Sequence, residues 1–340
     1  MSEPLRPGKK GPVQRLAKWF TKRLKSAGLG RAAEAEPWPT MAPVKRLLDA
    51  YENPAPPPVL VLGDSVMERV SWHDEDTRTL GGMIADACHP IRVCVAARRS
   101  YHPVLFRALL DLLARLPGRP AQIVLPVNLR CFSPQWNLNP IWQFEEEQRR
   151  IRGLPSDRAA AFSPLKALAP EDLPGPWTEF QALPLDMPCL DSRNMGEFYR
   201  LSKKQRIEGE EGRPRTAELF RVHYQYTLDD GHRQLRALAG IRDAAAALGS
   251  RLLVYLTPVN HRSGTLHAGA PWEQTLLSHA AKVRQIFEGH PGVDFLDWSR
   301  RFGPEAFFHA NDPTEHLAEA ARKDLSSELA GLLRETLNPS

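Results

Sequence analysis

The chain has only four cysteines in 340 residues (Cys88, Cys94, Cys131 and Cys189), and no two of them form a C-x-x-C pair. Their spacing argues against a zinc site and against a disulfide framework, and leaves buried free thiols as the expectation. No stretch approaches the roughly 18 consecutive apolar residues that a membrane-spanning helix needs. The first residues hold no apolar core of the kind a secretory signal requires, so the expected location is cytoplasmic. Internal repeats are lacking too. What remains is an ordinary 42% hydrophobic and 25% charged composition, with length for one large domain or one domain carrying a sizeable insertion.

The net charge of +5 is a poor average. Residues 1–31 hold nine Lys/Arg against the single Glu3, a charge of about +8, which leaves the rest slightly acidic. Within this segment Leu16, Trp19, Phe20 and Leu24 share one helical face, while Arg15, Lys18, Lys22, Arg23 and Lys25 crowd the other. Residues 14–25 thus suit a helix lying on an anionic membrane, peripheral to its inner face. A solvated basic helix or arm is the competing reading. Nucleic acid is not an expected partner, because the body offers no matching basic surface.

Residues 32–56 read as a linker, Ala32 to Thr40, then a short helix, Pro43 to Tyr51, and the Pro-rich stretch Pro54–Pro58. From there apolar strands alternate with amphipathic helices, the pattern of a parallel sheet covered on both faces. The strand candidates are Val59–Leu62, Ile91–Ala96, Gln122–Val127, Arg251–Thr257 and Val293–Leu296. Leu105, Leu109, Leu112 and Leu116 make one helical stripe. Leu235, Leu238, Ile241, Ala245 and Leu248 make another, with Gly249 placed as its C-cap. Residues 129–220 break the alternation: Pro-, Trp- and charge-rich, without a convincing strand, they read as a helical insertion. A lid over the sheet edge and a structural cover or dimer contact are equally open for it. Trp136 and Trp142 suit its core.

A doubly wound sheet gathers the residues just after each strand into one crevice. Those residues are Asp64-Ser65, Ala97-Arg98-Arg99-Ser100-Tyr101, Asn128-Leu129-Arg130, Pro258-Val259-Asn260-His261 and, beyond the last strand, Asn311-Asp312-Pro313-Thr314-Glu315-His316. A serine nucleophile needs an imidazole within hydrogen-bond reach and a group that fixes the imidazole's tautomer. Ser65, His316 at the opening of the last helix, and Asp312 can form such a set. Arg98, Arg99 and Arg130 could bind an anionic substrate, and Ser100, Asn260 and His261 are further substrate-binding candidates. Each has a structural rival: Ser65 and Asp312 as helix caps, Asn128 and Asn260 as ordinary strand exits, the arginines as solvated surface.

On these residues the chain resembles the GDSL-type hydrolases of the SGNH superfamily. The resemblance covers about 57–130 and 222–335 and implies a three-layer α/β/α, flavodoxin-like fold with a five-stranded parallel sheet. It implies Ser65 in Gly63-Asp64-Ser65-Val66 as nucleophile, His316 as general base, Asp312 as supporting acid, and Asn128 with the Ser65 amide as oxyanion donors. Three features depart from the family pattern. Asp312 precedes His316 by four residues instead of three, so Glu315 or Asp297 could substitute, or the site is a Ser–His dyad. The family glycine after strand two has no match among Ala96 to Tyr101, where the Ser100 or Arg99 amide could serve. Asn128 sits in Pro126-Val127-Asn128-Leu129 where the family has Gly-x-Asn-Asp.

The expected activity is hydrolysis or deacylation of an ester-bearing small molecule or glycan, with no metal and no organic cofactor. O-acyl transfer on the same residues is the second reading. A non-catalytic SGNH-like binding protein docked to a membrane is the third. Oligomeric state and acyl group are left open.

Overall fold

The computed structural model describes residues 41–337 apart from 54, 72, 167, 186–191, 199 and 201–212. The basic segment 14–25, the linker to Thr40, Cys189 and most of the polar run Lys203–Arg215 lie outside the described residues.

Five strands form one all-parallel sheet: β1 (Val59–Gly63), β2 (Val93–Ala97), β3 (Gln122–Val127), β4 (Arg251–Leu256) and β5 (Val293–Asp297). Their order is β2-β1-β3-β4-β5, the doubly wound order in which the chain reverses direction beside β1. All five lie where the apolar runs place them, β3 with the expected ends and the other four with ends shifted by one or two residues. The second starts at Val93 because Ile91 still belongs to a turn, its N–H on the Cys88 carbonyl at 2.9 Å.

In chain order the main helices are α1 (Ala42–Tyr51), α2 (Ser65–Glu68), α3 (Leu80–Ala87), α4 (Pro103–Leu113), α5 (Glu145–Gly153) and α6 (Arg213–Tyr224). After these come α7 (Arg233–Ala247), α8 (His261–Ala268), α9 (Ala270–Phe287) and α10 (Glu319–Leu337). The alternation of β1 explains its unbroken aliphatic run. Leu60 and Leu62 meet the layer built by α1, α4, α7 and α9, while Val59 and Val61 meet α3 and α10. All four side chains are fully buried, each contributing about 1.5–3 kcal/mol by leaving water. Gly249, with φ +71°, follows α7 in the left-handed conformation expected of a helix-ending glycine.

The insertion is helical where described, with α5, α6 and shorter helices at Pro134–Leu138, Arg158–Phe162 and Pro174–Ala182. It is not a detached flap. Phe132, Phe144, Ile151, Leu154, Phe220 and Tyr224 join the same core as Leu60. A separate, smaller core within the insertion forms from Phe180, Met195, Phe198 and Val222. Trp136 and Trp142 pack against each other with centroids 4.4 Å apart and ring planes tilted by 34°. Cys88, Cys94 and Cys131 are buried free thiols. No helix among the described residues is long and apolar enough to cross a membrane.

Candidate active site

β1 ends at Gly63 and the chain turns at once into α2. A Cβ at Gly63 would lie 2.8 Å from Met67 Cβ and 3.0 Å from Ala97 Cβ, so the helix can fold back on the strand end only if that residue is glycine. The buried Asp64 caps α2, its carboxylate accepting the Val66 N–H at 2.8 Å. Ser65 follows as the first helical residue, with its N–H among the donors that a helix start leaves without an intrahelical acceptor. Its Oγ faces His316 Nε2 at 3.1 Å.

His316 lies on the loop before α10 and does not open that helix, which starts three residues later at Glu319. A short antiparallel pairing fixes the loop. Phe308 donates its N–H to the His316 carbonyl at 3.0 Å, and Ala318 donates to the Ala306 carbonyl at 2.8 Å. The fully buried Arg322 adds a bond to the Leu317 carbonyl at 3.0 Å and an ion pair to Asp74 at 2.7 Å.

The partner of His316 Nδ1 is Thr314, whose Oγ1 is 3.1 Å away and also accepts the His316 backbone N–H at 3.2 Å. If Nδ1–H is donated to that hydroxyl, Nε2 is the acceptor, the tautomer that a base for Ser65 requires. The expectation of Asp312 as the supporting acid is therefore corrected. Thr314 N–H bonds back to the Asp312 carbonyl at 2.8 Å, and this tight turn sends the Asp312 side chain outward while Thr314 faces the ring. Neither proposed substitute reaches the ring either. Glu315 accepts from Tyr224 and from Arg130 at 3.3 Å, and Asp297 accepts from the Ser299 N–H and hydroxyl at 3.1 and 2.6 Å.

Asn128 caps a 3-10 turn at Leu129–Phe132 through its Oδ1, 3.0 Å from the Arg130 N–H. Its Nδ2 donates one hydrogen to Asp64 at 3.0 Å, which fixes the amide and leaves the second hydrogen for a ligand. Beside β2, Ser100 has φ +66°, the left-handed conformation that glycine favours, at the place where a glycine is missing from the sequence. The Arg99 amide is excluded as an oxyanion donor, because it donates to Glu68 at 2.9 Å. The Ser65 and Ser100 amides and the second Asn128 hydrogen are the donors that remain.

Of the remaining candidates, only Arg99 keeps an exposed side chain at the site. Arg98 is buried and holds Glu147 of α5 at 2.6 Å, with Tyr101 bonding the same carboxylate. Arg130 is engaged by the Pro313 carbonyl at 3.2 Å, Glu315 and His223, and lies over the Trp136 ring, so it fastens the insertion to the His316 loop. Asn260 is a structural clamp: its Nδ2 bonds the Ala310 and Asp312 carbonyls at 2.8 and 3.1 Å. His261 begins α8, and the charged groups acting on it are Arg262, Glu273 and Arg300.

Two groups carry shifted acidities. Burial, then the fields of Arg69, Arg130, Arg99 and His309, push His316 down to about 3, so the ring is neutral at neutral pH. Burial pushes Asp64 up to about 6, against the pull of its Val66 and Asn128 hydrogen bonds. Sequence reading missed Thr314 and Arg69. Thr314, two residues before the histidine, carries a hydroxyl and not the carboxylate that the resemblance implies. Arg69 is one helical turn after Ser65. Among the described residues no group of three or more His, Cys, Asp or Glu is placed to hold a metal ion. A hollow of about 460 Å³ lined by Gln225, Tyr226, Gln274 and His279 contains none of these site residues.

No family model matches the chain, and no curated protein matches it. The resemblance to the SGNH hydrolases rests on the residues described above.

Proposed function

We propose that this chain is a serine ester hydrolase acting through Ser65 and His316, with Thr314 in the position usually given to an acid. The observation that carries the reading is the 3.1 Å approach of His316 Nε2 to Ser65 Oγ at the carboxyl end of β1. A general base must lie within such reach of the proton it takes. As Ser65 Oγ bonds to the ester carbonyl carbon, its proton passes to Nε2 and the carbonyl π pair moves onto oxygen. The Ser65 and Ser100 amides and Asn128 Nδ2 donate to that oxyanion. The carbon–oxygen bond to the leaving alcohol then breaks as His316 returns the proton. Water, activated by the same ring, releases the acyl group from Ser65.

Labelling by a fluorophosphonate probe and turnover of p-nitrophenyl acetate test the reading. Both are expected in the full chain and lost in Ser65→Ala and His316→Gln. Product analysis with an added alcohol separates hydrolysis from acyl transfer. If labelling and turnover survive in Ser65→Ala, the assignment fails.

A further inference from the structure

The bonds between Thr314 and His316 orient the ring within its own loop, since both residues belong to that loop. They do not hold the loop against Ser65. Asn260 fastens Ala310 and Asp312, and Arg322 fastens Leu317, which leaves Pro313 to His316 between the two anchors. Arg130 grips this middle part. Its Nη1 donates to the Pro313 carbonyl at 3.2 Å and to Glu315 Oε2 at 3.3 Å, on either side of Thr314 and next to the base. The Arg130 backbone N–H donates to Asn128 Oδ1 at 3.0 Å, and Asn128 Nδ2 donates to Asp64 at 3.0 Å. Asp64 in turn caps the helix that Ser65 begins. With His316 Nε2 at 3.1 Å from Ser65 Oγ, these contacts close into a circuit through Ser65, Asn128 and His316.

The insertion braces that circuit from α6. Tyr224, fully buried against Trp272 with ring centroids 5.7 Å apart, donates its hydroxyl to Glu315 Oε1. His223 Nε2 accepts from Arg130 Nη2 at 3.2 Å, and the guanidinium lies over the Trp136 ring at 5.4 Å. Both oxygens of the buried Glu315 therefore have donors, one from β3's exit and one from the insertion.

We infer that Arg130 is a positioning residue for the hydrolysis, setting His316 against Ser65 in register with Asn128, and that the insertion serves the reaction by bracing Arg130 and Glu315 through His223 and Tyr224. The inference rests on the ester-hydrolase reading and adds what keeps its base in place. With a hydroxyl behind the ring, no charge draws His316 into position, so position must come from the loop. A base displaced by about 1 Å loses its reach to the serine proton, which can cost on the order of a hundredfold in rate. Arginine suits the task because its planar fork serves a carbonyl, a carboxylate and an imidazole in fixed directions, which a single ammonium cannot span.

The test uses the full chain and p-nitrophenyl acetate, a neutral ester that offers Arg130 no charge to bind. Arg130→Met is expected to lower kcat and the rate of Ser65 labelling by on the order of a hundredfold, with KM little changed. Arg130→Lys keeps a cation beside Glu315 and should recover about tenfold of that loss. Tyr224→Phe keeps the ring in the core and every charge in place, and should lower kcat by about tenfold, the scale of one hydrogen bond to a charged group. Because Arg130→Met leaves Glu315 buried without its cation, Arg130→Met/Glu315→Met is made alongside. With no charge stranded, it should fold and remain slow. Hydrogen exchange reads the loop without turnover: the Phe308 and Thr314 amides should exchange faster in this double variant and in Tyr224→Phe, while β3 and β4 keep their protection. A wild-type kcat in the double variant, or a loss confined to KM, overturns the positioning role and leaves the hydrolase reading standing. An unchanged kcat in Tyr224→Phe, or unchanged exchange of the loop amides, overturns the brace from the insertion. If no turnover in wild type depends on Ser65, the hydrolase reading fails, and the positioning role with it.

Discussion

Thr314 Oγ1 stands 3.1 Å from His316 Nδ1, so a neutral hydroxyl occupies the position from which a carboxylate would stabilise an imidazolium. A hydroxyl can fix the ring's tautomer and direction but brings no charge. Thr314 is buried and accepts from the His316 backbone as well, which ties the ring to its own loop. Thr314→Val keeps the shape and removes both bonds. It is expected to lower kcat and the rate of Ser65 labelling by about tenfold, the worth of one well-placed hydrogen bond. Thr314→Ser should retain most of the rate. Equal rates in Thr314→Val and wild type would remove Thr314 from the mechanism.

Ser100 supplies a second prediction. A non-glycine residue at φ +66° carries a strain of about 1–2 kcal/mol. Ser100→Gly relieves it, and part of the gain returns to the freer unfolded chain, so a net stabilisation of about 1 kcal/mol or less is expected in urea unfolding. Catalysis should persist, because the amide keeps its place. Ser100→Val forces a β-branched residue into this conformation and should lose about 2 kcal/mol. It should also lower kcat by about a hundredfold as the amide turns from the oxyanion.

The sheet was legible because its inner strands β1, β3 and β4 are buried on both faces and so appear as short aliphatic runs between helical stripes, while the edge strands β2 and β5, only partly covered, still keep an apolar run. Ser65 and His316 were legible because a strand-ending Gly-Asp-Ser and a distant histidine have few other uses together. The support behind them was not. Thr314 replaces Asp312 through a two-residue turn around Pro313, and spacing alone does not tell which side chain that turn presents to the ring. Ser100 stands in for a glycine through its backbone angle, to which residue identity is a weak guide. Arg98 and Arg130 look like surface charges in sequence, yet Arg98 is buried and Arg130 half-buried on carboxylates, Glu147 and Glu315, that lie 49 and 185 residues away along the chain.

Glu147 links the insertion to the loop that carries Arg99 and Ser100, and this gives a third prediction. Arg98 and Tyr101 both bond its carboxylate, bracketing Arg99 and Ser100. Glu147→Ala removes the carboxylate that neutralises the buried Arg98 guanidinium and should cost about 3–5 kcal/mol of unfolding free energy. Replacing both partners, Arg98→Met with Glu147→Leu, should cost less, since no charge is stranded. Urea titration of the two single variants and the double variant measures the coupling. If the double variant is as unstable as the sum of the two, the pair contributes no mutual stabilisation.

The last prediction concerns pH. The folded His316 ring titrates at about 3, below the ordinary imidazole value of 6.5. Between those values the unfolded chain binds a proton that the folded chain refuses. Its contribution to stability is therefore complete above pH 6.5 and is lost as pH falls toward 3. Moving from pH 7 to pH 5 should cost about 1–2 kcal/mol through this residue. His102 and His279, each pushed by burial to about 4, add slopes of the same sign, so the wild-type curve alone does not isolate His316. The difference between wild type and His316→Gln does. That variant should lose less stability between pH 7 and pH 5, and NMR of the wild-type ring should place its midpoint at least two units below 6.5. Parallel stability curves and a midpoint near 6.5 would mean that burial and the arginines do not hold the ring neutral. In that case the base would be half protonated close to neutral pH, and the rate of Ser65 labelling would fall with it.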